Sequence, residues 1–173
     1  MATGNFYEDL ERGKPAELFA LNYFNKYHKE CIDVSKNPDY FGKDVDFIVD
    51  GKEWEVKLNF INALKGKQGD FIWIELYYDS EPKGWWFKTT ADFFLFNNGE
   101  NKGVIIENND AFKSLVNHAI ESGDHSSSGD FRFDVKKDAR YNKTIDVLSM
   151  RVYLETMSSH GVNFQRVVNR RKL

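Results

Sequence analysis

The dipeptide Asp50-Gly51 constrains this chain more than any other feature. It sits between two runs that alternate apolar and charged residues, "KDVDFIV" and "KEWEVKLNF". A two-residue hairpin turn of type I′ needs positive φ at both central positions, and Asp-Gly meets that need. With Val49 and Lys52 flanking the turn, the register follows. Asp46 is expected opposite Glu55, Asp44 opposite Lys57, Phe47 opposite Trp54, and Val45 opposite Val56. Successive side chains point to opposite faces of a strand. One face should therefore carry Val45, Phe47, Val49, Trp54, Val56 and Leu58, and the other Asp44, Asp46, Glu55 and Lys57.

The second face poses an electrostatic problem. Carboxylates directly opposite have Cβ atoms about 4.5–5.5 Å apart, and like charges at that range are destabilising. Two readings stand side by side. In one, the face is solvated and Lys57 screens the pair. In the other, a hard cation sits between the acids. Mg²⁺ takes oxygen ligands, commonly one or two carboxylates with waters and a substrate phosphate. Lys57 would then orient or deprotonate a water, or stabilise charge on a phosphate.

The rest of the chain frames this hairpin as part of one domain spanning residues 1–173, with an α/β plan. A helix is expected over Pro15–Lys29, with Pro15 in its first turn and Gly13 interrupting any helix before it. Strands follow at Cys31–Ser35, Asp44–Val49, Glu53–Phe60 and Phe71–Tyr78. "TTADFFLFNNG" reads as a short helix closed by Asn98-Gly99, "KGVIIEN" as a buried strand, and "NDAFKSLVNHAIESG" as a helix stopped by Gly123. "ESGDHSSSGD" reads as a flexible loop, and the "FRFDV" and "TIDVLSMRVYL" segments fit strand or helix. The single cysteine, Cys31, rules out an internal disulfide framework and fits a reducing compartment. "MATGNFYEDLERGK" lacks the apolar core of a signal peptide, and no run has the length of a membrane span, so a cytoplasmic protein without a membrane partner is expected. A net charge of −3 does not mark a nucleic-acid binder; basic residues would have to be gathered locally.

"DVDFIV" followed by "WEVK" resembles the core of the PD-(D/E)xK nuclease superfamily, although Gly42-Lys43-Asp44-Val45 stands where that family often has Pro-Asp. "KQGDFIWIELYYDSEPKGWWFKTTADFFLF" is similar to a segment of small phage and bacterial nucleases of that superfamily, Holliday-junction-resolvase-like ones among them. The resemblance spans Phe6 to Ile106. It implies a restriction-endonuclease-like core: a mixed central β-sheet flanked by helices, in the order αβββαβ. It implies hydrolysis of phosphodiesters in duplex or branched DNA with Mg²⁺ or Mn²⁺, and a homodimer where two strands are cut. By that resemblance Asp46 and Glu55 hold the metal with the Val56 carbonyl, Glu17 binds through a water or a second ion, and Lys57 places the attacking water. Read from the residues alone, Glu17 lies on the inward helix stripe with Leu10, Gly13, Leu21 and Phe24, and is equally an N-terminal acid favoured by the helix dipole. Asp44 is the rival for the role of Asp46.

Other positions carry weaker signals. Lys88, Thr89 and Thr90 stand at the expected helix start, where backbone N–H groups can take a phosphate, and either threonine is also an ordinary N-cap. Lys65, Lys67, Lys136, Lys137, Arg140, Lys143, Arg166, Arg170, Arg171 and Lys172 are the basic residues available to DNA, though such runs are usually solvated surface. Gln68 and Glu75 follow the Glu-x-Lys strand, and Trp85 and Trp86 fit the core better than base stacking. His28, His118, His125 and His160 have no metal-ligand spacing. Two classes of function remain: a nuclease, of junction-resolving or of restriction or repair type, and an anti-defence or regulatory protein that grips nucleic acid on the same fold without cutting.

Overall fold

A computed structural model describes residues 6–61, 70–122, 131–140 and 143–169. In chain order the elements are α1 (Phe6–Tyr27), β1 (Cys31–Asp33), β2 (Phe47–Val49), β3 (Lys52–Lys57), β4 (Phe60–Ile61), β5 (Phe71–Tyr78), β6 (Phe93–Asn97), β7 (Lys102–Glu107), α2 (Asp110–Ser122), β8 (Phe131–Arg140), β9 (Lys143–Tyr153), α3 (Leu154–Ser159) and β10 (Phe164–Val168). Single 3-10 turns cover Pro38–Tyr40 and Trp85–Phe87.

The strands form two sheets. The larger runs β1-β2-β3-β6-β7-β10 and the smaller β4-β5-β9-β8. The β3–β6 pair is parallel and every other pair is antiparallel. Helix α1 lies on one face of the larger sheet. Its stripe of Ala16, Phe19, Ala20, Tyr23 and Phe24 is buried with Phe47, Val49, Trp54, Val56 and Leu95. On the other face, Phe94, Phe96, Val104 and Ile106 share a core with Ile72, Ile74 and Leu76 of β5, Met150 and Val152 of β9, and the inner side of α2. The α/β class holds, and the central sheet is mixed.

Several expectations change. The segment "TTADFFLFNNG" holds strand β6, not a helix. Phe94 and Phe96 enter one core while Leu95 enters the other. A strand buried on both faces is a continuous apolar run, which periodicity cannot tell from a short buried helix. Asn98-Gly99 closes a turn instead: the Asn98 carboxamide oxygen accepts the N–H groups of Glu100, Asn101 and Lys102, each at 3.0 Å, and Gly99 has φ 73°. Helix α1 continues through Pro15 rather than starting there. The one N–H that Pro15 lacks does not end a helix whose later turns are held by the buried stripe. β1 stops at Asp33, whose carboxylate takes the N–H and the hydroxyl of Ser35 and turns the chain. The tail resolves as the long β8–β9 hairpin. The expected flanking by helices holds on the α1 side only, because the smaller sheet joins α2 on the other side.

The turn after β5 is packed against that strand. A Cβ built on Gly84 would lie 2.1 Å from the Glu75 carbonyl oxygen, and the Gly84 N–H donates to the Leu76 carbonyl at 2.9 Å. Backbone cannot yield as a side-chain tip can. Gly84→Ala is therefore expected to cost on the order of 3 kcal/mol in urea unfolding. Gly42→Ala, with nothing within 4 Å of its Cβ, should lie within about 1 kcal/mol of the parent.

Candidate acid and lysine site

The hairpin forms as its turn demands. Asp50 and Gly51 have φ of 48° and 77°, and Phe47, Ile48 and Val49 pair with Trp54, Glu53 and Lys52. The Asp50 carboxylate also accepts the N–H groups of Lys29 and Glu30 at 3.1 and 2.9 Å and meets His28 Nδ1 at 3.0 Å. The turn is thus tied to the end of α1.

The expected register stops at Phe47. The Asp46 N–H donates to the carbonyl of Trp54 at 2.9 Å, so that Asp46 and Phe47 together oppose Trp54 as in a β-bulge, while the Asp46 carbonyl accepts from Val34 N at 2.9 Å and continues the β1–β2 register. Its side chain replaces the missing ladder bond: Asp46 Oδ2 accepts the Val56 N–H at 2.8 Å. Asp44 has φ 47°, a left-handed conformation that Asp tolerates better than most residues. Val45 then enters the core between the sheets, opposite to the core that holds Phe47. So the expected pairs Asp46–Glu55, Asp44–Lys57 and Val45–Val56 do not form as ladder pairs, and Leu58 is exposed. A break in the strand, rather than cross-strand register, brings the acids together.

Glu55 is the deepest member, with 1% of its surface exposed. Its Oε1 is ion-paired with Lys57 Nζ, and its Oε2 is buried with no hydrogen-bond partner. The Lys57 ammonium lies 5.4 Å from the centroid of the Trp85 ring, within the range of a cation–π contact. Glu17 of α1 is half-buried.

Electrostatics join these groups. Burial pushes the Glu55 carboxyl well above its ordinary value, against the pull of Lys57 and with the push of Asp46. Burial also raises Asp46, opposed by Lys57 and the Val56 N–H and aided by Asp44 and Asp33. Glu17 is raised by burial, then by Asp46 and Asp33, with Lys36 and Lys14 opposing. Burial works against the charge of Lys57, but Glu55, Asp46 and Asp44 outweigh it and hold the ammonium protonated. Asp46 is the acid felt by both Glu17 and Glu55.

Among the described residues, no three His, Cys, Asp or Glu side chains stand close enough to form a ready metal cage. The donor set still fits a hard divalent cation. It offers carboxylate oxygens, one of them buried and unpartnered, and acids that burial has destabilised as anions. Mg²⁺ needs no more than one or two carboxylates, keeping water elsewhere.

The remaining candidates lie elsewhere. Lys88, Thr89 and Thr90 follow a 3-10 turn and precede a strand, so no helix N-terminus exists there to take a phosphate. Thr89 Oγ1 accepts the Ala91 N–H, and Thr90 Oγ1 donates to Glu53 at 2.6 Å. Both threonines line a cavity of about 290 Å³ with Lys52 and Lys113, at the opposite end of β3 from Lys57. Lys136 and Lys137 project from β8, and Lys137 pairs with Asp146 at 3.1 Å. Arg140 ends that strand. Arg166 pairs with Asp70, and Glu75 accepts the Tyr78 hydroxyl at 2.6 Å. Trp85 is a core residue and Trp86 packs edge-on against Phe112. Lys65, Lys67, Gln68, His125, Arg170, Arg171 and Lys172 lie outside the described residues. The sequence reading missed Asp33, the last residue of β1, and Lys36, just beyond it; the signal was their place at the end of a short strand entering the same end of the sheet.

Comparison of the chain with protein-family models, with curated proteins and with solved structures finds no match. No helix among the described residues is long and apolar enough to cross a membrane.

The raised acids set a pH dependence. A carboxyl whose folded value exceeds its unfolded value stabilises the fold below the unfolded value and loses that contribution as pH rises through the folded one. Lys57, raised as well, contributes a constant amount below the ordinary lysine range. The metal-free protein should therefore lose melting temperature between about pH 5 and pH 8. Asp46→Asn keeps an acceptor for the Val56 N–H, and should flatten that slope and stabilise the protein at pH 8 by on the order of 1 kcal/mol. Melting curves in EDTA across that range test this; an unchanged slope in the variant would place the titrating groups elsewhere.

Proposed function

We propose that this protein is a metal-dependent DNA endonuclease of the PD-(D/E)xK type, with a restriction-endonuclease-like core and its site at Asp46, Glu55 and Lys57. The observation that carries the reading is Glu55: a buried carboxylate with one oxygen unpartnered, followed two residues later by a charged lysine, with Asp46 delivered beside them by the neighbouring strand. Asp46 and Glu55 would hold Mg²⁺ or Mn²⁺, with Glu17 and the Val56 carbonyl as further oxygen donors. Such an ion, when bound, polarises a phosphate and lowers the pKa of a bound water.

The chain's own groups have separate tasks. The Val56 N–H fixes one oxygen of Asp46 and leaves the other for binding. Lys57 is held protonated, so it donates hydrogen bonds to a water or a phosphate oxygen rather than taking a proton. Trp85 beneath the ammonium limits where it points. A junction-resolving nuclease is the first substrate class and a restriction or repair nuclease the second. One observation favours the rival, a nucleic-acid-binding protein without catalysis: Lys57 already neutralises part of the Glu55 charge, as a structural ion pair would.

Cleavage assays on linear, supercoiled and four-way-junction DNA, with Mg²⁺, Mn²⁺ or EDTA, separate the two. Asp46→Asn and Glu55→Gln should each lower cleavage by at least about two orders of magnitude. Lys57→Ala should lose about 100-fold in rate while retaining DNA binding. A variant of either acid that cuts at the parental rate overturns the site. Metal binding has its own readout. At fixed ionic strength and about 100 times its Kd, Mn²⁺ should stabilise the parent by about 2.7 kcal/mol, and the double variant Asp46→Asn/Glu55→Gln should lose that shift. A flat parental response with no cleavage of any DNA form would favour the non-catalytic rival.

A further inference from the structure

Strand β8 is the last strand of the smaller sheet, and no described strand pairs with its outer edge. It runs for 10 residues, from Phe131 to Arg140. A long open edge is a template for another strand, and proteins usually blunt one by shortening, bulging or covering it. The β8–β9 register runs from Phe131 to Arg140 without a bulge. Val135, in its middle, is 66% exposed.

The charges along this edge have an order. Arg132, Asp134, Lys136 and Asp138 alternate in sign on one face of the strand, and Phe131, Phe133, Val135 and Lys137 share the other. Phe131 is buried in the core between the sheets and Phe133 packs against it, so the charged row lies on the other face, where Lys136 is exposed and Asp134 is also ion-paired within the chain to Arg132 at 3.2 Å and to Arg151 at 3.4 Å. If a second β8 is laid antiparallel beside the first, with a two-fold axis normal to the sheet at Val135, each face meets its like. Arg132 then stands opposite Asp138 of the second copy, and Asp134 opposite its Lys136. By symmetry the same two pairs recur on the other side of the axis. All four charged positions meet the opposite sign, and Val135 meets itself. A shift of the axis to Asp134 or to Lys136 sets like charges against each other throughout the row. One register is therefore selected over its nearest alternatives, because opposite charges across strands stabilise and like charges destabilise.

We propose that two copies of this chain associate through β8, antiparallel and centred on Val135, joining their smaller sheets into one continuous sheet. The contact is isologous, as a two-fold dimer requires. Main-chain hydrogen bonds of the edge supply affinity, and the charge row supplies register. The occupant is a second copy because the edge is complementary to its own reversed sequence. The inference does not rest on the nuclease reading, and assembly is measured apart from cleavage.

Sedimentation of the full chain over a concentration series reads the assembly. The parent should form a dimer by about 0.1 mM. Lys136→Asp sets acid against acid twice per dimer and should weaken association at least about 10-fold. Asp134→Lys should do the same with bases. An equal mixture of the two variants restores opposite signs at both positions and should recover a heterodimer. Circular dichroism checks that each variant is folded; Lys136 is exposed, so Lys136→Asp stands alone if Asp134→Lys does not fold.

Thiol oxidation checks the register. Val135→Cys places the two new thiols at the axis and should give a covalent dimer, with the parent as control for Cys31. In the same register, Lys137→Cys holds its thiols about 13 Å apart and should not cross-link. A parent that stays monomeric at about 0.1 mM, or a dimer indifferent to Lys136→Asp, overturns the proposal. Efficient cross-linking at Lys137→Cys in place of Val135→Cys overturns the register.

Discussion

The hydrogen bond from the Val56 N–H to the Asp46 carboxylate organises this end of the molecule. A regular ladder would pair that N–H with a carbonyl of the preceding strand. Here a side chain takes the place of the carbonyl, and the Asp46 N–H joins the Trp54 carbonyl that Phe47 opposes. The Asp46 carbonyl keeps its place in the β1–β2 register, where Val34 donates to it. With the ladder interrupted, Asp44 adopts positive φ and Val45 swings into the core opposite to the one that Phe47 enters. The bond thus ties β3 to the residue before β2 and sets a carboxylate beside Glu55.

The cost of this arrangement falls on the acids. Glu17, Asp33, Asp44, Asp46 and Glu55 act on one another or on Lys57 at this end of the sheet. One half-buried lysine, Lys57, with Lys14 and Lys36 acting on Glu17, does not offset them all. Burial disfavours the charged form of each carboxyl, and neighbouring acids add to the penalty. Glu55 shows the imbalance most sharply, because one oxygen is ion-paired and the other is unpartnered in the interior. An unsatisfied buried oxygen is rare in folded proteins and costs about 1–3 kcal/mol, more when charged. Apolar residues of similar volume would often serve stability as well as a buried ion pair or better. That cost is what the proposed metal site would account for.

Much of the hairpin was legible in the sequence. Asp50-Gly51 dictated the turn, and alternation dictated which of Phe47, Val49, Trp54 and Val56 face α1. The acids and Lys57 were legible by type and spacing. The route by which Asp46 approaches Glu55 was not, because nothing in "KDVDF" distinguishes a regular strand from one broken by a side-chain acceptor. Asp33 was missed for a related reason: its place beside Asp46 depends on β1 joining the edge of β2. The misread β6 reflects another limit. A strand buried on both faces loses the alternation that marks strands, and "FFLF" keeps only its hydrophobicity. The second sheet was hidden because strand pairing between distant segments leaves no local trace.

The two sheets handle charge in opposite ways, and the contrast follows from where each charge sits. At the end of the larger sheet, acids are gathered inside the protein, where burial and neighbouring acids make their charged forms costly. On β8 of the smaller sheet, acids and bases alternate along an edge that is half-buried at Arg132, Asp134 and Asp138 and exposed at Lys136, and Asp134 is offset by Arg132 and Arg151. Exposed pairs contribute little free energy individually, typically below about 1 kcal/mol. Their value is therefore in selecting register, not in strength. The buried cluster has the reverse character: few groups, strong coupling, and no register to choose because the Val56 bond has already placed Asp46. A substitution at the exposed Lys136 should accordingly leave the fold intact. One at Glu55 should act on the electrostatics of the whole end of the sheet, because Glu55 has no solvent to absorb the change.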